Sequence, residues 1–147
     1  MKFARESVRQ VWDEAERLLK INHAETGALP QEDFSPNRQK YAELDYLGVL
    51  ELYTMRDDKG ALVGYSVFII SDHPHYRGVT FACQDVLFVV PEHRGINAVE
   101  FMAYQDARLK EEDVHYCYRH VTQKVDYSKT LERMGYAQIE RKFLRKL

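Results

Sequence analysis

Val8, Val11, Trp12, Ala15, Leu18 and Leu19 recur at the spacing of one helical face. Ser7 with Gln10 supplies a capping box where that helix starts. Residues 23–35, HAETGALPQEDFS, lose the pattern and read as a loop. Ser35-Pro36 then opens a second helix, with Ser as N-cap, Pro in the first helical position and Gly48 closing it. The following stretch, VLELYTMRDDKGALVGYSVFII, predicts two strands joined around Asp58-Lys59-Gly60 as a β-hairpin. HPHYRG interrupts, and residues 79–90 form a third long strand. A helix spans about 97–111, VHYCYRHV is a strand, YSKTLERMGY a short helix ending at Gly135, and AQIERKFL a last strand. The order ααβββαβαβ predicts a mixed α/β fold in one domain over residues 1–147. In it a hairpin meander feeds one βαβ crossover, the strand with Asp85 is central, and the 97–111 helix leads to a parallel strand at 114–121.

At 147 residues and 45% hydrophobic, the chain can bury one real core. A net charge of −2 and a pI near 6.3 argue against nucleic acid as a partner. The longest apolar runs, YSVFII and VLFVV, are strand-sized and too short to span a membrane. Charges are scattered through the N-terminus, where a signal peptide would need an apolar segment. Cys83 and Cys117 are too few for a disulfide framework, which fits a reducing cytoplasm.

In DVLFVVPEHRGINAVEFM, residues 85–102, a strand meets Pro-Glu-His-Arg-Gly and turns directly into a helix. A helix start carries free N–H groups and the positive end of a dipole, so it suits an anion. It also suits a plain corner: Asn97-Ala98-Val99-Glu100 has the form of a capping box, and Glu100 adds a negative charge. The sequence admits both. The element order, with VVPEHRG at the corner and LERMGY before the last strand, resembles the GNAT-type N-acetyltransferase superfamily. The resemblance is nearest to the small stand-alone members common in phage genomes and runs from about Val49 to the C-terminus. It implies a twisted central sheet with flanking helices, acetyl-CoA as cosubstrate, and direct transfer in a ternary complex to a primary amine of a protein or small molecule. The family's pyrophosphate motif is Arg or Gln, two residues, Gly, one residue, then Gly or Ala. Counting from Arg94 puts Asn97 and Val99 in the small-residue slots, and counting from His93 puts Ile96 and Ala98 there. The pyrophosphate contacts so implied are Arg94 and the amides of Gly95, Ile96, Asn97, Ala98 and Val99. A homodimer is left open.

A lysine-type amine, with a pKa near ~10.4, costs about 4.6 kcal/mol to deprotonate at pH 7, whereas an α-amine near ~8 costs only about 1 kcal/mol. A lysine-type acceptor therefore needs a base. The resemblance implies Asp85, early on the strand before the corner. Strand alternation sets Asp85 on the face of Cys83, Leu87 and Val89, where apolar neighbours would raise its pKa. The amide of Val89 is the implied oxyanion donor, freed at a bulge where this strand parts from the next. The family's tyrosine acid falls here on Leu131. Tyr127, one turn earlier on the same helix face, is the substitute, or else a packing residue. His73 and His75, on the loop before the Asp85 strand, and His120, on the aromatic strand, are assigned to the acceptor groove. Their spacing matches no zinc pattern, so no metal is expected. The tail RKFLRK reads as a solvated edge or as a contact to the 3′-phosphate of CoA. The altered glycine slots and Leu131 also support a second reading, a catalytically silent protein of this fold that binds a host or phage protein.

Overall fold

The hairpin forms where the turn chemistry puts it. Asp57 Oδ1 accepts the N–H groups of Lys59 and Ala61 at 2.9 and 2.8 Å, and Gly60 takes φ 86°. This joins β2 (Leu50–Arg56) to β3 (Leu62–Asp72), and β4 (Thr80–Val89) pairs antiparallel on the far side of β3. The architecture comes from a computed structural model that describes residues 1–27, 29 and 32–147. A strand not expected from the sequence, β1 (Lys2–Arg5), lies antiparallel on β2, and β5 (Tyr116–Tyr118) pairs parallel with β4. The result is one mixed sheet in the order β1-β2-β3-β4-β5, so β4 is interior but β3 is the middle strand.

α1 (Val8–Thr26) buries Val8, Val11, Trp12, Ala15 and Leu18, the face its periodicity specified. Gln10 Oε1 accepts the Ser7 N–H at 2.9 Å, and Asp45 Oδ2 takes the free Val8 N–H at 2.7 Å. The helix occupies the first part of the stretch expected to be loop, ending at Gly27 in the left-handed conformation. Residues 28, 30 and 31 of that stretch lie outside the described residues. α2 (Arg38–Tyr46) starts later than expected, because Asn37 rather than Ser35 caps it, its Oδ1 accepting the Lys40 N–H at 2.9 Å. α1 and α2 cover one face of the sheet over Leu50, Leu52, Tyr65, Val67 and Phe88. α3 (Ile96–Glu111) covers the other, with Phe101 and Leu109 against Tyr53, Met55, Phe68 and Val89.

The last strand is absent. Residues 137–147 have no regular structure, and Ile139, Phe143 and Leu144 stand exposed. β5 stops at Tyr118, and the side chain of the next residue, Arg119, turns into the core. α4 (Ser128–Arg133) is the short helix ending before Gly135.

Candidate active site

β4 and β5 stay paired only from Phe81↔Tyr116 to Cys83↔Tyr118. Beyond that, β4 runs on to Val89 while the other chain swings away towards α4. The wedge between them is a cavity of about 660 Å³, a size suited to a cosubstrate and its acceptor. Residues 84–89 of β4 form its floor, and Gly95, Ala98, Val99 and Met102 of α3 one wall. His120, Thr122, Val125 and Tyr127 form the other, and the end of α1 with Tyr41 and Phe34 closes the far side.

The floor presents backbone as well as side chains. Val90 N–H donates to the Val63 carbonyl at 2.9 Å. Antiparallel alternation then turns the N–H and C=O of Val89, opposite Gly64, away from β3 and towards the side β5 has vacated. The Val89 carbonyl accepts from Arg94 Nε at 2.8 Å. A Cβ on Gly64 would lie 3.0 Å from the Phe88 carbonyl and 3.1 Å from Val89 Cγ2, so glycine permits this close approach. The bulge expected at Val89 sits instead at Asp85, where β3 passes from Val67↔Val86 to Phe68↔Gln84 and Asp85 has no partner.

At the corner, Gly95 takes φ 76° and ψ −128°, a conformation open to glycine, and the chain enters α3 directly at Ile96. Asn97 is therefore inside the first turn and does not cap, and the expected capping box is not formed. The first intrahelical bond of the turn, Val99 N–H to Gly95 O, leaves the amides of Ile96, Asn97 and Ala98 without helical partners. The Ile96 side chain is 68% exposed and points outside the cavity. Arg94 reaches across the cavity mouth, its Nη2 donating to both carboxylate oxygens of Glu25 of α1 at 2.8 and 2.7 Å, while its guanidinium lies 5.8 Å from the Phe88 ring centroid.

The bulge overturns the expected setting of Asp85. It places Val86 and Phe88, not Leu87 and Val89, on the α1–α2 face that Asp85 shares with Tyr41. Asp85 is exposed to the cavity, not enclosed by apolar side chains, and its Oδ2 accepts the Tyr41 hydroxyl at 3.2 Å. Burial, then the Asp85 charge, pushes the Tyr41 phenol up to about 12. His120 shares the cavity, its imidazole held below the ordinary histidine value by partial withdrawal from water and by Lys142. Tyr127 lines it too, and burial raises its phenol. Leu131 is packed inward, so the family's tyrosine slot carries a core contact. His73 and His75 do not reach the cavity: they lie beyond the start of β4, where His73 packs on Tyr76 and Phe81. Among the described residues, no group of His, Cys, Asp and Glu is arranged to hold a metal ion. No helix there is long and apolar enough to cross a membrane.

Among the residues not foreseen are Glu25, Tyr41 and Gln84, which line the cavity, and Arg119, which lies behind Gln84. The last pair had a visible signal, a glutamine and an arginine inside strands whose neighbours are apolar or aromatic. The Arg119 side chain is fully buried, and its guanidinium N–H groups bond Tyr136 Oη (2.9 Å), Gln84 Oε1 (3.1 Å), Gln105 Oε1 (3.0 Å), Met102 O (3.2 Å) and Asp106 Oδ1 (2.6 Å).

Solved structures share this architecture along the whole chain. A ribosomal-protein-alanine N-acetyltransferase from Brucella melitensis biovar Abortus 2308 superposes with a TM-score of 0.72 at 19% identity, covering 100% of both chains. Glucosamine-6-phosphate N-acetyltransferase from Arabidopsis thaliana gives 0.74 at 8% identity, covering 99% of this chain and 97% of that one. An aminoglycoside acetyltransferase from an uncultured soil metagenomic sample, in complex with sisomicin, gives 0.68 at 14%, covering 99% and 93%. No protein-family model matches the chain, and no curated protein matches it in sequence. The fold is that of the GNAT-type acetyltransferases.

Proposed function

We propose that the chain is an acyl-CoA-dependent N-acetyltransferase that moves an acetyl group from acetyl-CoA to a primary amine. The parting of β4 from β5 beside the start of α3 carries this reading. That one feature joins an outward-facing Val89 amide, a helix N-terminus with free donors and a cavity open to both substrates. Acetyl-CoA supplies the acetyl group on a thioester. The amides of Gly95, Ile96, Asn97 and Ala98 hold its pyrophosphate, the expected Val99 amide being taken by the Gly95 carbonyl, and Arg94 exchanges Glu25 for phosphate oxygens. The Val89 N–H stabilises negative charge on the thioester oxygen as the amine attacks. Asp85 takes the proton the amine gives up, directly or through water. As the C–N bond forms and the C–S bond breaks, the electron pair leaves on sulfur, which takes the Tyr127 hydroxyl proton. Solvent returns a proton to Tyr127, and the proton on Asp85 passes to solvent. The two free cysteines support a reducing, cytoplasmic setting.

Calorimetry with acetyl-CoA tests the corner. Arg94→Glu should weaken binding at least tenfold, about 1.4 kcal/mol. An unchanged dissociation constant would make the corner structural only. The Arg94–Glu25 pair and the inward Leu131 favour a second reading, a silent protein of this fold that binds a host or phage protein. Turnover separates the two.

A further inference from the structure

Gln84 sits on the cavity floor with only 2% of its surface exposed, between the buried Arg119 and Tyr127. An arginine can only donate, so Arg119 dictates which way the Gln84 amide faces: Oε1 must point at the guanidinium. Nε2 then points at the cavity wall, and its two hydrogens reach Tyr127 Oη at 3.1 Å and the His120 carbonyl at 3.3 Å. Because Tyr127 accepts from Gln84, its own hydrogen must be given elsewhere. In this structure it goes to the His120 carbonyl at 2.8 Å.

Arg119 turns Gln105 the same way, with Oε1 towards the guanidinium at 3.0 Å. There the consequence is a cost: Gln105 Nε2 is buried with no partner among the described residues. Leaving a buried donor unpaired is unfavourable, so Arg119 orients these amides strongly enough to outweigh that loss. Asp106, at 2.6 Å, balances the buried charge.

We propose that Gln84, its amide locked by Arg119, is a positioning residue that presents the Tyr127 hydroxyl as a hydrogen-bond donor to the leaving thiolate. The proposal rests on the acyl-transfer reading above and names the device that makes Tyr127 serviceable where Leu131 has replaced the family's acid. When the Tyr127 hydrogen swings from the His120 carbonyl to sulfur, the carbonyl keeps its Gln84 N–H, so no buried group is stripped. The proton passes from Tyr127 oxygen to the thiolate sulfur. The tyrosinate left behind is held by the Gln84 N–H, with the Arg119 charge directly behind it, until solvent reprotonates it.

Gln84→Glu inverts the device with almost no change of shape. The carboxylate still pairs with Arg119 but cannot donate, and it draws the Tyr127 hydrogen to itself. Steady-state kinetics with acetyl-CoA should show kcat reduced at least about tenfold, matching Tyr127→Phe, with KM for acetyl-CoA within twofold of wild type. The double variant should lose no more than either single one. Ring-labelled tyrosine NMR should show the Tyr127 phenol titrating about one pH unit or more higher in Gln84→Glu. Where that variant does not fold, Gln84→Met, of similar length and without a donor, should give the same kcat loss. In the otherwise native chain, Tyr127→Phe should shift the Gln84 side-chain amide resonances. Retention of wild-type kcat in either the Gln84 variants or Tyr127→Phe overturns the positioning role and leaves acyl transfer standing. A wild-type chain that consumes no acetyl-CoA with any amine overturns the reading beneath it. Unmoved Gln84 amide resonances in Tyr127→Phe also overturn the proposal.

Discussion

Asp85 owes its position to one extra residue in β4. The bulge that leaves it unpaired also turns it to the cavity and exposes it there, with Tyr41 as its hydrogen-bond donor. An exposed carboxylate on the floor of the cavity that Val89 also lines is a base that water and an incoming amine can both reach. Asp85→Asn should leave acetyl-CoA affinity within about twofold and lower turnover on a lysine-type amine by about 10²–10⁴. The acid limb of the pH–rate profile should flatten as well. Retention of more than about a third of wild-type turnover at pH 7 would move the base to His120, whose lowered pKa keeps it neutral there. An α-amine acceptor would hide the difference, since it costs so little to deprotonate. Sequence could nominate Asp85 because its distance from the corner is a chain distance. It could not set the side chain's surroundings, because a bulge breaks the alternation from which a face is read.

Among elements, those carried by a long period were legible. α1, the β2–β3 hairpin, β4 and α3 appear where periodicity and turn residues put them, each within a few residues. The misses are short or depend on distant contacts. β1 has four residues, too few for a period, and exists because β2 offers an edge. β5 lies inside the expected 114–121 and is parallel to β4, but it is only three residues long, and the expected strand after Gly135 is missing. β1 also closes a charged cluster around the buried Glu51. Arg5 Nη2 lies 3.2 Å from Glu51 Oε1 and Nη1 3.4 Å from Glu112 Oε1 at the end of α3, and the Tyr53 hydroxyl donates to Glu51. Burial, then the Glu112 carboxyl, pushes Glu51 from the ordinary carboxylate value of 4.5 up to about 7. A carboxyl raised in the folded state holds its proton where the unfolded chain has lost it, so folding binds a proton in that window. Stability should therefore fall as pH rises from about 4.5 to about 7, by up to ~1.4 kcal/mol per pH unit from this group. Urea unfolding across that range should show a flatter profile for Glu51→Gln. An identical slope in the variant would mean that Glu51 ionises as freely in the fold as in the unfolded chain.

For the whole molecule, function comes from where the sheet fails to continue. β4 outruns β5, α3 begins beside the gap, α4 and α1 fence it, and the amides that a further strand would have used face the cavity. The corner's motif was visible in the sequence because it is local, although its glycine slots were filled by larger residues. Gly95, outside those slots, makes the turn. The Arg94–Glu25 pair was not visible, since nothing in a corner motif points to the end of a helix 69 residues earlier. The central claim, transfer of an acetyl group from acetyl-CoA to an amine, is most directly tested by turnover. The purified chain would be incubated with acetyl-CoA and a panel of primary amines comprising peptide α-amines, lysine side chains and amino sugars. Free thiol and acetylated amine would be quantified together. The account predicts that at least one amine yields both in equal amounts, at a rate proportional to the protein added. Acetyl-CoA that binds yet stays intact with every amine would contradict it and make this a silent protein of the same fold.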